Sequence, residues 1–148
     1  MSSDPDLPTL LLRNQVCFPL YSAANAVVRA YRPLLDELGI TYLQYMVLML
    51  LWEESPQNVK TLGQSLNLDS GTLTPLLKRL EAKGLVERRR SPEDERVRVI
   101  SITPQGQALR ARAADIPAQL ACSIGLPAEK ARQLKVLCEE LLQAIDTG

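Results

Sequence analysis

The chain carries three cysteines and four tyrosines and no histidine. Sulfur is therefore its strongest candidate nucleophile. Cys17 lies two residues before Pro19 in the stretch "RNQVCFPLYSAANAVVRAY", residues 13–31. A thiol reacts as the thiolate. Apolar residues recur at helical spacing from Val16 onward, so Cys17 is expected in or just before the first turn of a helix. The positive end of the helix macrodipole favours an anion there. Tyr21, Tyr31 and Tyr42 could add hydrogen bonds from their hydroxyls to the sulfur. Such a thiolate attacks one oxygen of a peroxide O–O bond, giving a sulfenic acid and releasing an alcohol. The competing reading makes each cysteine a small buried hydrophobe and each tyrosine a packing residue. Cys138, on the stripe Leu134, Leu137, Leu141 and Leu142, is expected to be core or near-core. Three widely spaced cysteines are no disulfide framework. Without a C-x-x-C pair or a histidine, no metal site and no cofactor are expected.

Tyr31 follows Cys17 by 14 residues. On a continuous helix it is about 40° from the same azimuth but roughly 21 Å away along the axis. The two cannot touch within one chain. If the first helices of two subunits pack antiparallel, Tyr31 of one reaches Cys17 of the other. Tyr21 is one turn from Cys17 and can meet it locally.

A second chemistry is anion binding. The 148 residues balance 17 Lys/Arg against 17 Asp/Glu, but unevenly. Residues 1–59 carry a net charge of −3, residues 60–98 a net +3, and the remainder is neutral. The middle segment is the candidate for a phosphate backbone. There "KTLGQSLNL" (60–68) and "DSGTLTPLLKRLEAKG" (69–84) read as two helices with almost no linker. "LVERRR" and "RVRVISI" read as a two-stranded hairpin turned by "SPEDE". Helix, turn, helix and hairpin make a winged helix-turn-helix. Its second helix should enter the major groove with Ser70, Thr72 and Thr74 near base edges and Lys78 and Arg79 at phosphates. Arg88 and the other hairpin arginines extend the basic face. Arg96, steadied by Asp94, is the candidate for the minor groove. The alternatives are a solvated charged face or a protein-binding winged helix.

The positioning elements follow. Residues 1 to about 12 are expected to be a frayed arm. Pro19 fits a first helical turn. Pro33 should end or kink the first helix near Tyr31 and open a short second one, closed by Gly39. Thr41 should cap a helix to about Glu53, followed by a "SPQNV" loop. Thr103 and Pro104 should open a long helix, ended or kinked at Pro117, and a last helix should run from about Ala128 to Ala144. The fold class is mainly α with a small β-hairpin wing, a single domain over 1–148. Segments of about 10–55 and 103–146 are too apolar on one stripe for a solvated monomer and suit dimerisation, around a winged helix-turn-helix at about 56–102. The longest apolar run, Met46–Trp52, is far short of the roughly 20 residues that span a bilayer. "MSSDPDLP" has no basic or apolar signal regions, so the expected compartment is the cytosol, without a membrane partner.

The run "LGQSLNLDSGTLTPLLKRLEAKGLVERRRSPEDERVRVISITPQG" resembles the multiple-antibiotic-resistance-regulator (MarR) family of bacterial repressors. "DSGTLTPLLKRLE" and "DER" resemble its recognition helix and wing. "QVCFPLYSA" with "YRPLL" and "ITYLQY" resembles the group within that family that senses organic hydroperoxides. The resemblance implies a homodimer on an inverted-repeat operator of double-stranded DNA, with organic hydroperoxides as inducer. It implies that Cys17 is the peroxidatic thiol and that Tyr31 and Tyr42 serve the partner's Cys17. It further implies that Cys122 is the resolving thiol, forming an intersubunit disulfide. Two other readings stay open: a MarR-type repressor of a phenolic ligand with inert cysteines, and a thiol peroxidase. Nothing in the chain looks dedicated to repeated turnover, so a non-enzyme is expected.

Overall fold

The computed structural model describes residues 8–147. The expected frayed arm falls partly outside them. Within them, Pro8–Leu10 and Leu12–Asn14 form two 3₁₀ turns rather than a loose tail. The side-chain amides of Asn14 and Gln15 donate back to the carbonyls of Pro8 and Thr9, both at 2.7 Å.

Helix α1 spans Cys17–Asp36, 20 residues without interruption. Pro33 therefore does not divide it, contrary to the sequence expectation. The proline lies one turn from the end and faces solvent; what it removes is one helical bond, its own to the Arg29 carbonyl. Its neighbour Leu35 is buried in the core and Leu34 packs against it, so tertiary burial holds the last turn. Gly39, at φ +70°, then reverses the chain. Thr41 caps α2 (Tyr42–Glu53) through a full capping box: Thr41 Oγ1 accepts from Gln44 N, and Gln44 Oε1 accepts from Thr41 N. Tyr45, Val47, Leu48 and Leu51 are buried, which makes α2 the central helix.

Gln57–Asn58, expected as loop, is a short strand β1. Helices α3 (Val59–Leu66) and α4 (Ser70–Ala82) follow, capped by Asn58 and Asp69. The turn between them uses Asn67 in the left-handed region, at φ 55°. Leu62 meets Leu73, Leu76, Leu77 and Leu80 in the core. A proline would be expected to limit how early this helix can start, but Pro75 sits inside α4, which begins at Ser70. Strands β2 (Val86–Arg90) and β3 (Arg98–Ile102) form the expected hairpin, with Val86 opposite Ile102 and Arg90 opposite Arg98. β1 adds to its other side, Gln57 opposite Ile100, so the antiparallel sheet has three strands in the order β1-β3-β2.

Thr103 caps α5 (Pro104–Ala113), and the helix ends before Pro117, which sits in the first turn of α6 (Ile116–Ile124). Gly125 closes α6, and α7 spans Ala128–Thr147. α6 packs on α1. α7 buries none of its described residues. Cys138 is accordingly half-buried, and its stripe of Leu134, Leu137, Leu141 and Leu142 is exposed. Among the described residues of the single chain nothing covers that face, so no core forms there around Cys138. No described helix is long and apolar enough to cross a membrane.

Candidate functional site

Cys17 is the first residue of α1 and is exposed. Tyr21 follows one turn later, 71% exposed, on the same side of the helix. Tyr31 lies near the far end of this unbroken helix, roughly 21 Å from Cys17 along the axis. The structure therefore does not bring Cys17 to Tyr31 within one chain. It brings Tyr31 to Tyr42 instead, with ring centroids 4.7 Å apart. Tyr45, which sequence reasoning missed, is 5.8 Å from Tyr31 and itself stacks edge-on to Trp52 at 6.3 Å. Its signal was present, since Tyr45 follows Tyr42 by three residues and so shares its helix face.

Burial, reinforced by the neighbouring Tyr42 and Tyr45, pushes the Tyr31 hydroxyl up to about 12. Burial also raises Tyr42, and burial with Tyr42 raises Tyr45. All three phenols thus stay protonated over the physiological range and keep an O–H to donate. Cys122, on α6 between the buried Leu120 and the exposed Ile124, is exposed, and all three thiols are free.

The basic face is assembled around α4. Asp69 accepts from Thr72 N at 2.7 Å, and this bond, with that from Gly71, holds its carboxyl below the usual value. The leucine stripe faces inward, so Ser70, Thr72, Thr74, Lys78 and Arg79 all point outward and are exposed. They fall on different flanks. Thr74 and Lys78 line a groove with Arg88 and Arg98 between α4 and the hairpin. Thr72 and Arg79 border a cleft shared with Tyr42 and Lys83, on the side of the α1–α2 corner.

Arg88 is half-buried and tied to α4. Its backbone N–H donates to Glu81 Oε2 at 3.1 Å and its Nε to Oε1 at 3.0 Å. These two bonds, then the guanidinium charge, lower the Glu81 carboxyl. At the wing tip Asp94 Oδ1 accepts from Arg96 N at 3.0 Å and from its Nε at 3.2 Å, while Oδ2 accepts from Nη2 at 3.4 Å. The Arg96 side chain is 91% exposed, so Asp94 orients a guanidinium that otherwise meets only solvent.

Comparison with known proteins places this architecture. Residues 40–97 match the MarR family model. The chain is 47% identical over 136 residues to the organic hydroperoxide resistance transcriptional regulator of Bacillus subtilis strain 168, covering 92% of this chain and 90% of that protein. Among solved structures it resembles reduced AbfR bound to DNA, at 37% identity and a TM-score of 0.76, covering 90% of this chain and 94% of that one. It also resembles disulfide-formed AbfR, at 38% identity and a TM-score of 0.65, covering 88% and 92%; AbfR is a Staphylococcus epidermidis protein. The three-stranded wing, the capped helix pair and this near full-length likeness together make the chain a member of the MarR family of winged-helix transcriptional regulators.

Proposed function

We propose that this MarR-type DNA-binding regulator is a homodimeric repressor of an inverted-repeat operator, released when organic hydroperoxides oxidise Cys17. The observation that carries the reading is an exposed thiol at the first residue of α1 and, toward its other end, Tyr31 packed on Tyr42 of α2, both protonated phenols. One chain leaves that sensor unfinished. Antiparallel packing of α1 against a second copy supplies Tyr31 and Tyr42 to each Cys17, with Tyr21 contributed locally. The exposed apolar residues of α1 and α7, among them Phe18, Leu137 and Ile145, support such a dimer.

The chemistry balances in two steps. The Cys17 thiolate attacks the distal peroxide oxygen, forming an S–O bond as the O–O bond breaks. The sulfur loses two electrons, and the alkoxide leaves as the alcohol after taking a proton. The Cys122 thiol of the second copy then displaces the sulfenic oxygen as water, giving an intersubunit disulfide. Ser70, Thr72 and Thr74 address base edges, Lys78, Arg79 and Arg88 the phosphates, and Arg96 the minor groove. The chain agrees better with DNA-bound AbfR, whether reduced or overoxidised, than with its disulfide form, which supports a DNA-competent conformation in the absence of a disulfide. Moving occupancy from 99:1 to 1:99 requires about a 10⁴-fold change in relative affinity, roughly 5.5 kcal/mol.

The test is a DNA titration of reduced protein, before and after a stoichiometric alkyl hydroperoxide. Oxidised wild type should release DNA; Cys17→Ser should bind DNA and ignore the peroxide. Cys122→Ser should form a sulfenic acid but no crosslinked dimer on non-reducing electrophoresis. A crosslink persisting in Cys122→Ser would transfer the resolving role to Cys138. Unchanged binding of wild type after oxidation would overturn the whole reading.

A further inference from the structure

Lys83 occupies the C-cap of α4. Its ammonium donates to the Gly39 carbonyl oxygen at 2.7 Å and to Gln44 Oε1 at 2.7 Å. Gly39 belongs to the reversal after α1 and Gln44 to the first turn of α2, so one lysine grips both sides of the α1–α2 corner. Gln44 is buried at 3% exposure, and the same Oε1 also accepts from Thr41 N at 3.1 Å. Tyr42 sits inside this corner, its ring against Tyr31. From the other side Arg112 of α5 donates to the Glu37 carbonyl at 2.9 Å, and α5 leads into the helix that bears Cys122.

We propose that Lys83 is a positioning residue that clasps α4 to the tyrosine corner, so that a shift of Tyr42 reaches the DNA-reading helix through Gly39 and Gln44. The proposal rests on the peroxide-sensing function proposed above. The carbonyls at the end of α1 carry the negative pole of its macrodipole, which suits an ammonium. Hydrogen bonds from a charged donor are short and about twice as strong as neutral ones. Lys83 is an exposed residue, so replacing it opens no cavity.

The experiment compares wild type with Lys83→Met and Lys83→Arg. For each, the rate of Cys17 oxidation by an alkyl hydroperoxide is followed by sulfenic-acid trapping and mass spectrometry. Operator affinity is measured in the reduced and the oxidised states. Lys83→Met should be oxidised at the wild-type rate, while the ratio of reduced to oxidised affinity shrinks about tenfold or more. Lys83→Arg keeps the charge and several N–H donors and should restore most of the ratio. A simple phosphate contact would instead weaken both states equally. An unchanged ratio in Lys83→Met, in a wild type that does respond, overturns the clasp alone. A wild type whose affinity ignores oxidation overturns the functional reading and the clasp with it.

Discussion

Asp94 spends its whole carboxylate on one neighbour, accepting three N–H groups of Arg96. The backbone bond from Arg96, then its side-chain bonds, hold the Asp94 carboxyl below its ordinary 3.8. A carboxyl lowered by folding keeps its pairing at all pH above the ordinary value and loses it only as pH falls through the lowered one. Asp94 is therefore ionised and able to accept from Arg96 across the physiological range. Arg96→Ala should weaken operator binding by about 1–3 kcal/mol. The side chain is exposed, so the melting temperature should not move; wild-type affinity at physiological salt would remove Arg96 from the interface. Tyr31 runs the other way. Its hydroxyl is raised to about 12 from 10.0, so the unfolded chain loses that proton first. The stabilisation is complete below pH 10.0 and drains away as pH rises toward 12. Alkaline unfolding followed by phenolate absorbance should be shallower over that window in Tyr31→Phe; an identical slope would show that Tyr31 is not held in its buried setting.

Between helix and strand, the tightest joint is at Gly106. Its carbonyl accepts from Trp52 Nε1 at 3.0 Å, and its N–H donates to the Thr103 cap at 3.0 Å. A Cβ added there would collide with the Leu85 carbonyl oxygen and lie 2.8 Å from Ile102 Cδ1. Gly106→Ala is expected to push α5 off the sheet and cost at least about 1–3 kcal/mol in a denaturant titration. Much at this scale was legible in advance. Caps announce themselves by local chemistry, as Thr41 and Thr103 do, and so does the stripe Leu73, Leu76, Leu77, Leu80. Three features were not legible, for separate reasons. Pro33 reads as a breaker because the sequence does not reveal that Leu35 is anchored in the core. β1 is two residues of Gln-Asn, with no strand composition, and exists because β3 offers it a free edge. Lys83 looks like one more surface lysine until folding sets it beside Gly39, 44 residues away in the chain.

For the molecule as a whole, the uncovered apolar residues gather on the two segments the sequence marks for dimerisation. Leu137, 61% exposed on α7, stands for the group. In the single chain Leu137→Glu alters only solvent contacts. In a dimer interface it would strand an unpaired carboxylate, at a cost of roughly 3–5 kcal/mol. Sedimentation should then report a folded monomer that has lost operator affinity, whereas an unchanged dimer would remove α7 from the interface. The stripe around Cys138 was readable as apolar, but whether its cover lay inside or outside the chain was not. A periodic pattern names a buried face without naming the partner that buries it.

The unbroken length of α1 has a consequence in genetics. With Cys17 at one end and Tyr31 near the other, the antiparallel dimer proposed above would draw the sulfur of each sensing site from one subunit and its phenols from the other. An allele with Cys17→Ser is blind by itself. So is one in which Tyr31→Phe and Tyr42→Phe slow the thiol enough. In a cell expressing both, mixed dimers hold one site with neither part and one site with both. Mixed dimers, half of a random population, should therefore regain peroxide-triggered release; the unresponsive homodimers beside them still bind the operator, so the gain is read on purified mixed dimers. If the phenols served the sulfur of their own chain, no mixture of these alleles would regain the response.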